Sequence, residues 1–547
     1  MPRLTLRLAV TILVLAVAAP AGADTGRVSF PVGLPAPGAN VDVAGATPAA
    51  ALPGGGAVLV GNEPGRGLVA AAIDADGRLE PGFGSRGVSH VRVGDGFQTL
   101  RVLVRPDGRL LVAGTVAAAK RLQLPELVLV GLTPDGRLDA SFGDGGVARP
   151  GIQGSCANCN PVALAPDGSI VATGNTGSIS PAIAHDPDAP DTFTWVVTRL
   201  TADGRPDPAF GTRQVPGTAV GRSGGYAVAL AADGRITLVG RNAERDTAVR
   251  LLPDGTADPS FASGAPAAVP SKVALDFVLG DDGSVTALGL RSASRLRPDG
   301  TRDAGFGDGG VVRLGGMFAR LLAIGGGEVL VYRPQVQARA AAEPALVVHR
   351  LDVTGRRSTQ RLHLPFGGGA AGSYRPDAFQ PALDQNAFRA AALLPRPGGY
   401  LVAGGVTLQQ FAGEGEGWST ATFAAAALTP DLRLDRSYGP SAARVTASVR
   451  LIRQRARSAR KVRGVAVRIR ATRPGLMRVR IRDRAGRTLA RSVEPLYRAG
   501  TARVRIPLTA FGRRALGDRR VKIAVEARFR DLLAAEDAAP RVRGTLR

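Results

Sequence analysis

Residues 132–147 read LTPDGRLDASFGDGGV, and residues 296–311 read LRPDGTRDAGFGDGGV. Twelve of these sixteen positions are identical, so the two segments are copies of one unit. In a Pro-Asp-Gly turn, Pro presets φ at the first position, Asp accepts hydrogen bonds from the turn backbone and Gly tolerates a positive φ. Each copy therefore predicts a β-hairpin. Five weaker copies begin at Ile73, Leu200, Leu251, Leu351 and Leu428.

A second hairpin unit alternates with the first and also occurs seven times. Its copies include LVRPDGRLLVAG from Leu103 and ALAPDGSIVATG from Ala163. One copy of each unit supplies four strands, and the first unit recurs at a mean interval of about 59 residues between Asp76 and Asp431. Seven such sheets without helices between them are best closed into a ring, because closure protects the strand edges. We predict an all-β fold with a seven-bladed β-propeller in residues 24–445; an array of β-sandwiches is the alternative.

The pattern P-D-G-x-x-D-x-x-F-G-x-G-G-V, present at residues 134–147 and 298–311, resembles the delta-60 repeat of exported bacterial proteins. The resemblance covers roughly residues 41–445 and is specific in five copies and degraded in two. It implies β-propeller blades and export. It implies no shared reaction, so it supplies no catalytic residues.

The charge of the chain is concentrated at its C-terminal end. The formal net charge is +25, and residues 444–547 contain 30 basic and 7 acidic residues, which leaves 40 and 38 for the first 443. From about Thr446, strands such as VAVRIRA from Val465 alternate apolar and charged residues with period two. This pattern predicts a small Ig-like antiparallel β-sandwich in residues 446–547.

Arginines occupy the outward positions of these C-terminal strands and could form one cationic sheet face. Such a face would bind anionic cell-envelope polymers in a salt-dependent way, whereas ordinary solvated strand positions are the alternative. Nucleic acid is a weaker candidate, because the chain is expected to be exported and aromatic residues do not interleave with the arginines. The candidate anion-binding residues are Arg468, Arg470, Arg478, Arg480, Arg482, Arg503 and Arg505.

The first 23 residues have the features of a cleaved secretory signal peptide. Arg3 and Arg7 precede an apolar run over residues 8–19, and Ala21-Gly22-Ala23 forms an A-x-A cleavage site before Asp24. We therefore expect an extracellular or cell-surface protein; an uncleaved N-terminal anchor is the alternative. No later segment is long and apolar enough to predict a membrane span after cleavage.

The two cysteines, Cys156 and Cys159, form a lone C-x-x-C sequence. In an exported chain this spacing favours a local disulfide, because oxidising compartments form and keep such bonds. A redox or zinc site is the alternative, but the βαβ pattern and the further ligands that these sites need are not found.

Repeated Asp pairs, such as Asp135 with Asp139 and Asp299 with Asp303, are interpreted as turn residues rather than calcium ligands. No metal or other cofactor is therefore expected. A phenylalanine also recurs once per copy of the first unit, as packing between blades requires; these residues are Phe142, Phe210, Phe261 and Phe306.

The connections between hairpin units should share one face of the propeller, opposite to the hairpin turns. We call it the connection face and its opposite the turn face. Two connections are unusually long, Asn175–Thr194 and Val406–Thr422, and long loops on a rigid scaffold often carry binding sites. Aromatic rings beside carboxylates suit an extracellular glycan or a peptide of a partner protein. The candidate ligand-binding residues are Trp195, Trp418, Asp186, Asp188, Glu414 and Glu416.

The sequence favours an exported, non-catalytic scaffold for recognition or adhesion. It contains no G-x-S-x-G, H-E-x-x-H or Walker sequence, and its four histidines are scattered among different repeats. No catalytic residue is therefore assigned. The alternative is a propeller hydrolase or lyase that acts on an extracellular polysaccharide, with acidic loop residues as its catalysts.

Overall fold

The computed structural model contains two compact units. One comprises Ala21–Arg444 with Arg530–Asp537, and the other includes Val445–Phe529 and Ala538–Arg547. The structure describes residues 27–31, 48–63, 67–85, 87–93, 96–117, 124–154, 160–178, 192–221, 223–243, 245–270, 276–315, 320–333, 346–362, 387–412, 416–435, 437–438, 447–471, 475–496, 500–516, 521–531, 537–538 and 541–546. The proposed signal peptide lies outside these residues.

The described part of the first unit contains seven four-stranded antiparallel sheets, here named I to VII. The chain begins with β1 (Arg27–Pro31), which joins the last of them. Sheet I consists of β2 (Ala49–Ala51), β3 (Ala57–Glu63), β4 (Gly67–Ile73) and β5 (Val88–Val91). Sheet II consists of β6 (Gln98–Val104), β7 (Leu110–Val116), β8 (Glu126–Leu132) and β9 (Val147–Ala148). Sheet III consists of β10 (Val162–Leu164), β11 (Ile170–Thr176), β12 (Thr194–Leu200) and β13 (Thr212–Gln214).

Sheets IV to VI continue the same plan, with the strands of each sheet in chain order. Sheet IV consists of β14 (Gly224–Leu230), β15 (Ile236–Asn242), β16 (Arg245–Leu251) and β17 (Ala267–Ala268). Sheet V consists of β18 (Asp276–Leu279), β19 (Val285–Leu288), β20 (Ser292–Leu296) and β21 (Val311–Arg313). Sheet VI consists of β22 (Arg320–Ala323), β23 (Val329–Arg333), β24 (Leu346–Leu351) and β25 (Arg357–Leu362). Sheet VII consists of β26 (Ala387–Arg396), β27 (Gly399–Ala412), β28 (Glu416–Leu428) and β1. The all-β prediction is confirmed.

Buried apolar side chains form a core cluster between each pair of consecutive sheets. Leu59 of sheet I and Phe423 of sheet VII share one cluster, so the last sheet packs on the first. The other clusters join I to II, II to III, III to IV, IV to V, V to VI and VI to VII. The packing of the seven sheets therefore forms a closed circle in which every sheet has two neighbours.

The N-terminal strand completes sheet VII. Val28 pairs with Ala425 and Phe30 pairs with Phe423, so β1 is the outermost strand beside β28. The seventh copy of the first unit was expected to form a hairpin like the other six. Its turn is present, with the N–H of Thr429 donating to the carbonyl of Arg433 at 2.8 Å, but β1 takes the outer position that the second hairpin strand takes in the other sheets.

The recurring phenylalanines pack between sheets, as predicted. Phe142 and Phe306 are 1% and 0% exposed. The Phe142 ring covers Gly204 in the next sheet, where an added Cβ would lie 2.6 Å from the ring. Gly204 also has a φ of +82°, so this turn position requires glycine for two separate reasons.

The second unit contains two sheets around one apolar core. One sheet consists of β29 (Ala447–Leu451), β30 (Gly464–Ala471) and β33 (Gly500–Pro507). The other consists of β31 (Gly475–Asp483), β32 (Thr488–Leu496), β34 (Val521–Asp531), β35 (Asp537–Ala538) and β36 (Arg541–Leu546). Two short helices, α1 (Ala456–Lys461) and α2 (Ala510–Ala515), accompany them. Among the described residues, none of the helices has the length and apolar character to cross a membrane.

Candidate functional site

Charged side chains from sheets that are not neighbours meet inside the circle of sheets. The Nδ2 atom of Asn160, at the start of sheet III, donates a hydrogen bond to Oδ1 of Asp276 in sheet V. Asp276 also interacts electrostatically with Arg101 of sheet II and Arg320 of sheet VI. These contacts pass across the middle of the circle. We call the space enclosed by the first strands the central channel, and Arg101, Asn160, Asp276, Arg320 and Tyr332 the channel cluster.

Asp276 is firmly held within the channel cluster. Its side chain is 3% exposed, and its Oδ2 atom accepts the backbone N–H of Leu321 at 3.0 Å. Burial raises the pKa of Asp276, although the positive charges of Arg320 and Arg101 oppose this rise. Since each carboxylate oxygen already accepts a hydrogen bond, Asp276 is anchored as a fixed partner of the surrounding cations.

Arg101 and Tyr332 complete the channel cluster. Burial lowers the pKa of Arg101, Asp276 opposes this effect and Arg320 adds to it. The Tyr332 hydroxyl accepts the backbone N–H of Leu393 in sheet VII at 3.1 Å, and burial raises the pKa of Tyr332 to about 12. The phenol is therefore protonated at neutral pH, and its O–H remains a potential donor.

Three members of the channel cluster, Arg101, Asp276 and Arg320, come from one position of the repeat. The hydrogen bond that closes the first turn of sheets I to VI starts at the backbone N–H of Leu52, Arg105, Ala165, Ala231, Gly280 and Ile324. The residues four positions earlier are Pro48, Arg101, Pro161, Ala227, Asp276 and Arg320. The sequence holds a signal for this site, because alignment of the copies on their turns places three charged residues where the other copies have proline or alanine.

Two cavities formed by described residues lie towards the turn face. A cavity of about 550 Å³ is formed by the first turns of sheets I to IV and is bordered by Leu52, Val104, Leu164 and Leu230. A second cavity of about 760 Å³ lies between the turns of sheets IV and V. The channel cluster lies at the opposite ends of the first strands, which are nearer the connection face.

Trp195 is not on the surface. Its side chain is 0% exposed, and its Nε1–H donates to Oγ1 of Thr173 at 2.8 Å on the neighbouring strand. The ring packs in the cluster between sheets III and IV with Phe210 and Leu238. The prediction that Trp195 binds a ligand on the surface was therefore wrong, because Trp195 is the second residue of β12 and its indole lies in the core.

The second long connection is mostly strand. Gln410 pairs with Trp418 and Val406 pairs with Thr422, so β27 and β28 continue through the segment expected to be a loop. Trp418 and Glu416 lie on β28, but their side chains are outside the described set. Glu414, Asp186 and Asp188, like Cys156 and Cys159, lie outside the described residues, so their predicted roles stay predictions.

The turn aspartates serve the turns that contain them. Oδ1 of Asp299 accepts the backbone N–H of Thr301 at 2.9 Å and its hydroxyl at 2.6 Å, and Oδ1 of Asp139 accepts Ser141 in the same way. Within the described ranges, no group of three or more His, Cys, Asp or Glu residues is arranged to hold a metal ion.

The predicted cationic surface is divided between two sheets. On the three-stranded sheet, Arg468 pairs with Arg450 on one side and with Arg503 on the other, and all three are exposed. Arg470 and Arg505 lie on the same exposed face. We call these five residues the arginine face.

Arg478 and Arg480 belong to β31 in the other sheet, where Arg480 pairs with Arg491. Both sheets enclose the same core, so their exposed faces point in opposite directions. The prediction of a single face was therefore wrong. Arg482 is half-buried and forms an ion pair with Glu526 at 3.3 Å, so it is not part of the arginine face.

A sequence model for the family described as "Domain of unknown function (DUF5122) beta-propeller" matches residues 105–142 and 231–261. Each match runs from the first turn of a sheet to the phenylalanine of the same sheet. The chain therefore resembles this repeat family, and the fold of the first unit is a β-propeller. Among curated proteins, none matches this chain.

Several solved structures show remote similarity. A Dyadobacter fermentans protein of unknown function is 13% identical, covers 61% of this chain and 96% of its own, and has a TM-score of 0.32. A gluconolactonase from Xanthomonas campestris is 14% identical, with coverages of 57% and 95% and a TM-score of 0.27. A polysaccharide lyase bound to an ulvan fragment is 10% identical, with coverages of 73% and 94% and a TM-score of 0.37. At these TM-scores, the similarities carry no functional argument.

Proposed function

We propose that the seven sheets are the blades of one seven-bladed β-propeller and that this propeller is an exported, non-catalytic scaffold for recognition. Its ligand is a glycan or a peptide of a partner protein that binds on the connection face, over the channel cluster. The sequence between residues 24 and 445 supplies the scaffold, and the C-terminal residues 446–547 supply a basic docking unit.

The observation that carries the proposal is the convergence of Arg101, Asp276 and Arg320 across the central channel. Burying charge is costly unless the charge is paired, and blade packing needs only the apolar residues found at the same position in other sheets. Charged groups that core packing does not require are therefore best explained by a bound molecule. Recognition is favoured over catalysis because both oxygens of Asp276 are engaged by Asn160 and Leu321.

The test of recognition is binding of the full-length mature chain to glycan and peptide arrays. Arg101→Gln should abolish the signal for the ligand that wild type binds. Arg302→Gln is a matched control, because Arg302 is exposed in the second hairpin of sheet V, away from the channel cluster. Equal binding by all three proteins would contradict the channel site. Turnover of a polysaccharide, lost on changing Asp276, would favour the hydrolase or lyase alternative.

The arginine face supports the second part of the proposal. Its five guanidinium groups lie on one exposed sheet face, and anionic cell-envelope polymers complement their charge. Removal of residues 446–547 should release the protein from cells. The variant Arg468→Gln/Arg503→Gln should weaken retention in a salt-dependent way, whereas Arg480→Gln on the opposite sheet is the control. Unchanged retention after truncation would contradict envelope docking.

A further inference from the structure

We propose that the channel cluster is a binding site for the carboxylate group of an acidic ligand, with Arg101 as the main binding residue. This inference rests on the proposed recognition function and specifies the chemistry of its site. It assigns a role to three residues, Arg101, Arg320 and Tyr332, that the sequence did not single out.

The charge of the channel cluster is unbalanced. It contains two guanidinium groups and one carboxylate. Arg101, Asp276 and Tyr332 each interact electrostatically with one another and with Arg320. With Asp276 ionised, the cluster keeps a net charge of +1. Positive charge exceeds negative charge by one among these five residues, so a carboxylate that binds Arg101 would have a complementary charge.

The accessible groups in the cluster are the cations. Asp276 and Tyr332 are 3% and 4% exposed, whereas Arg101 and Arg320 are only half-buried. A molecule that enters the channel therefore meets guanidinium groups first. Asp276 is more deeply buried and interacts electrostatically with both arginines, so we assign it as a positioning residue.

The donors of the cluster fit an oxyanion. In the part of the chain that the structure describes, Arg101 has electrostatic partners but no hydrogen-bond partner, so its five N–H donors remain available. A planar guanidinium binds a carboxylate through two parallel hydrogen bonds. The Tyr332 oxygen already accepts from Leu393, and its O–H can donate to the same ligand.

Two sources could supply the carboxylate: a free small anion or a uronic acid residue of a glycan. Calorimetric titration of the full-length mature protein with sodium glucuronate, sodium acetate and glucose at constant ionic strength distinguishes them. We expect glucuronate to bind with a Kd on the order of 1 mM, and glucose to give no signal. Equal affinity for acetate would identify the anion alone as the ligand, and tighter binding of glucuronate would show that the sugar is also recognised.

Arg101→Gln should weaken glucuronate binding by at least about tenfold, because it removes the bidentate contact. Arg320→Gln should weaken it less, and the exposed control Arg302→Gln should leave it unchanged. If Arg101→Gln misfolds, the glucuronate dependence of the wild-type Tm is the second measurement, since a ligand of the folded state raises Tm.

The inference is overturned if neither glucuronate nor acetate binds to or stabilises the wild-type protein. It is also overturned if Arg101→Gln folds and binds as tightly as wild type. Array binding of a neutral ligand with no carboxylate binding would overturn this inference and leave the recognition function standing. Binding of glucuronate or acetate, with no ligand found on the glycan and peptide arrays, would support the carboxylate site and contradict the recognition function.

Discussion

The backbone N–H of Gly143 donates a hydrogen bond to the carbonyl oxygen of Asp203 at 2.7 Å, although the two residues are 60 positions apart and lie in different sheets. Gly143 follows the phenylalanine of one repeat, and Asp203 belongs to the turn of the next. Equivalent bonds join Gly84 to Asp135 and Gly307 to Thr354. The two halves of the repeat are therefore the two sides of one contact between consecutive sheets.

The turn glycine in this contact can be tested by Gly204→Ala. The new methyl group would face the Phe142 ring and would also occupy a left-handed backbone conformation. We expect a loss of about 2–4 kcal/mol in the free energy of unfolding, measured with urea. Gly54→Ala is the matched control, since its φ is +89° but no atom lies within 4 Å of the added Cβ. Equal losses for both variants would contradict a packing role for Gly204.

Arg295 links sheet V to sheet VI and provides a second test. Its guanidinium donates to the carbonyl oxygens of Val353 at 3.1 Å and Gly327 at 2.6 Å, and it stacks over the Phe306 ring at 4.3 Å. Arg295→Met should lower the free energy of unfolding by about 1–3 kcal/mol, because the carbonyls of Val353 and Gly327 lose a charged donor and the Phe306 ring loses its cation–π contact. The exposed Arg297→Met should change it by less than about 0.5 kcal/mol. A near-zero effect of Arg295→Met would show that these bonds are not needed for packing.

The hairpins were predictable because a Pro-Asp-Gly turn is determined by residues adjacent in sequence. The pairing of β1 with β28 was not predictable in the same way, since Arg27–Pro31 has no turn that connects it to its partner. The channel cluster was missed for a related reason. Arg101 and Asp276 are far apart in sequence, and only the closure of the circle brings their charges together. Trp195 shows the opposite error: it directly follows the connection predicted to end at Thr194, but it belongs to β12 and its ring lies in the core.

The burial of Trp195 predicts an effect on stability and none on binding. Trp195→Phe keeps most of the apolar contact but leaves the Thr173 hydroxyl without its indole donor. We expect a loss of about 1–3 kcal/mol in the free energy of unfolding and unchanged ligand binding on arrays. In a double-mutant cycle with Thr173→Val, the losses should be less than additive. Weaker array binding by a folded Trp195→Phe protein would restore the original ligand-binding assignment.

The turn carboxylates predict loss of stability in acid. Hydrogen bonds from Thr133, Thr201 and Thr301 lower the pKa values of Asp135, Asp203 and Asp299 in the folded protein. The unfolded chain then binds protons more readily, with an Asp pKa of about 3.9. The three carboxylates therefore stabilise the folded protein fully above a pH of about 3.9. This stabilisation is lost as the pH falls through their lower pKa values in the folded protein.

Asp299→Asn tests this pH dependence. The variant should be less stable than wild type at neutral pH, and the difference between the two Tm values should shrink as the pH falls from about 5 to about 2. The measurement is Tm by scanning calorimetry across this range. Asp281→Asn is the control, since no threonine hydroxyl donates to Asp281 among the described contacts. A pH-independent difference would show that Asp299 acts through shape rather than charge.

Closure by β1 predicts that a short N-terminal truncation has a large effect. Removing residues 24–31 leaves the outer edge of β28 unpaired from Thr422 to Ala426. An open strand edge pairs readily with other chains, so the truncated protein should have a lower Tm and should self-associate in light scattering. A synthetic peptide of residues 24–34 should restore both properties by adding the missing strand, whereas a scrambled peptide should not. If the truncated chain is as stable and monomeric as the full-length one, β1 is not the closing strand of the circle.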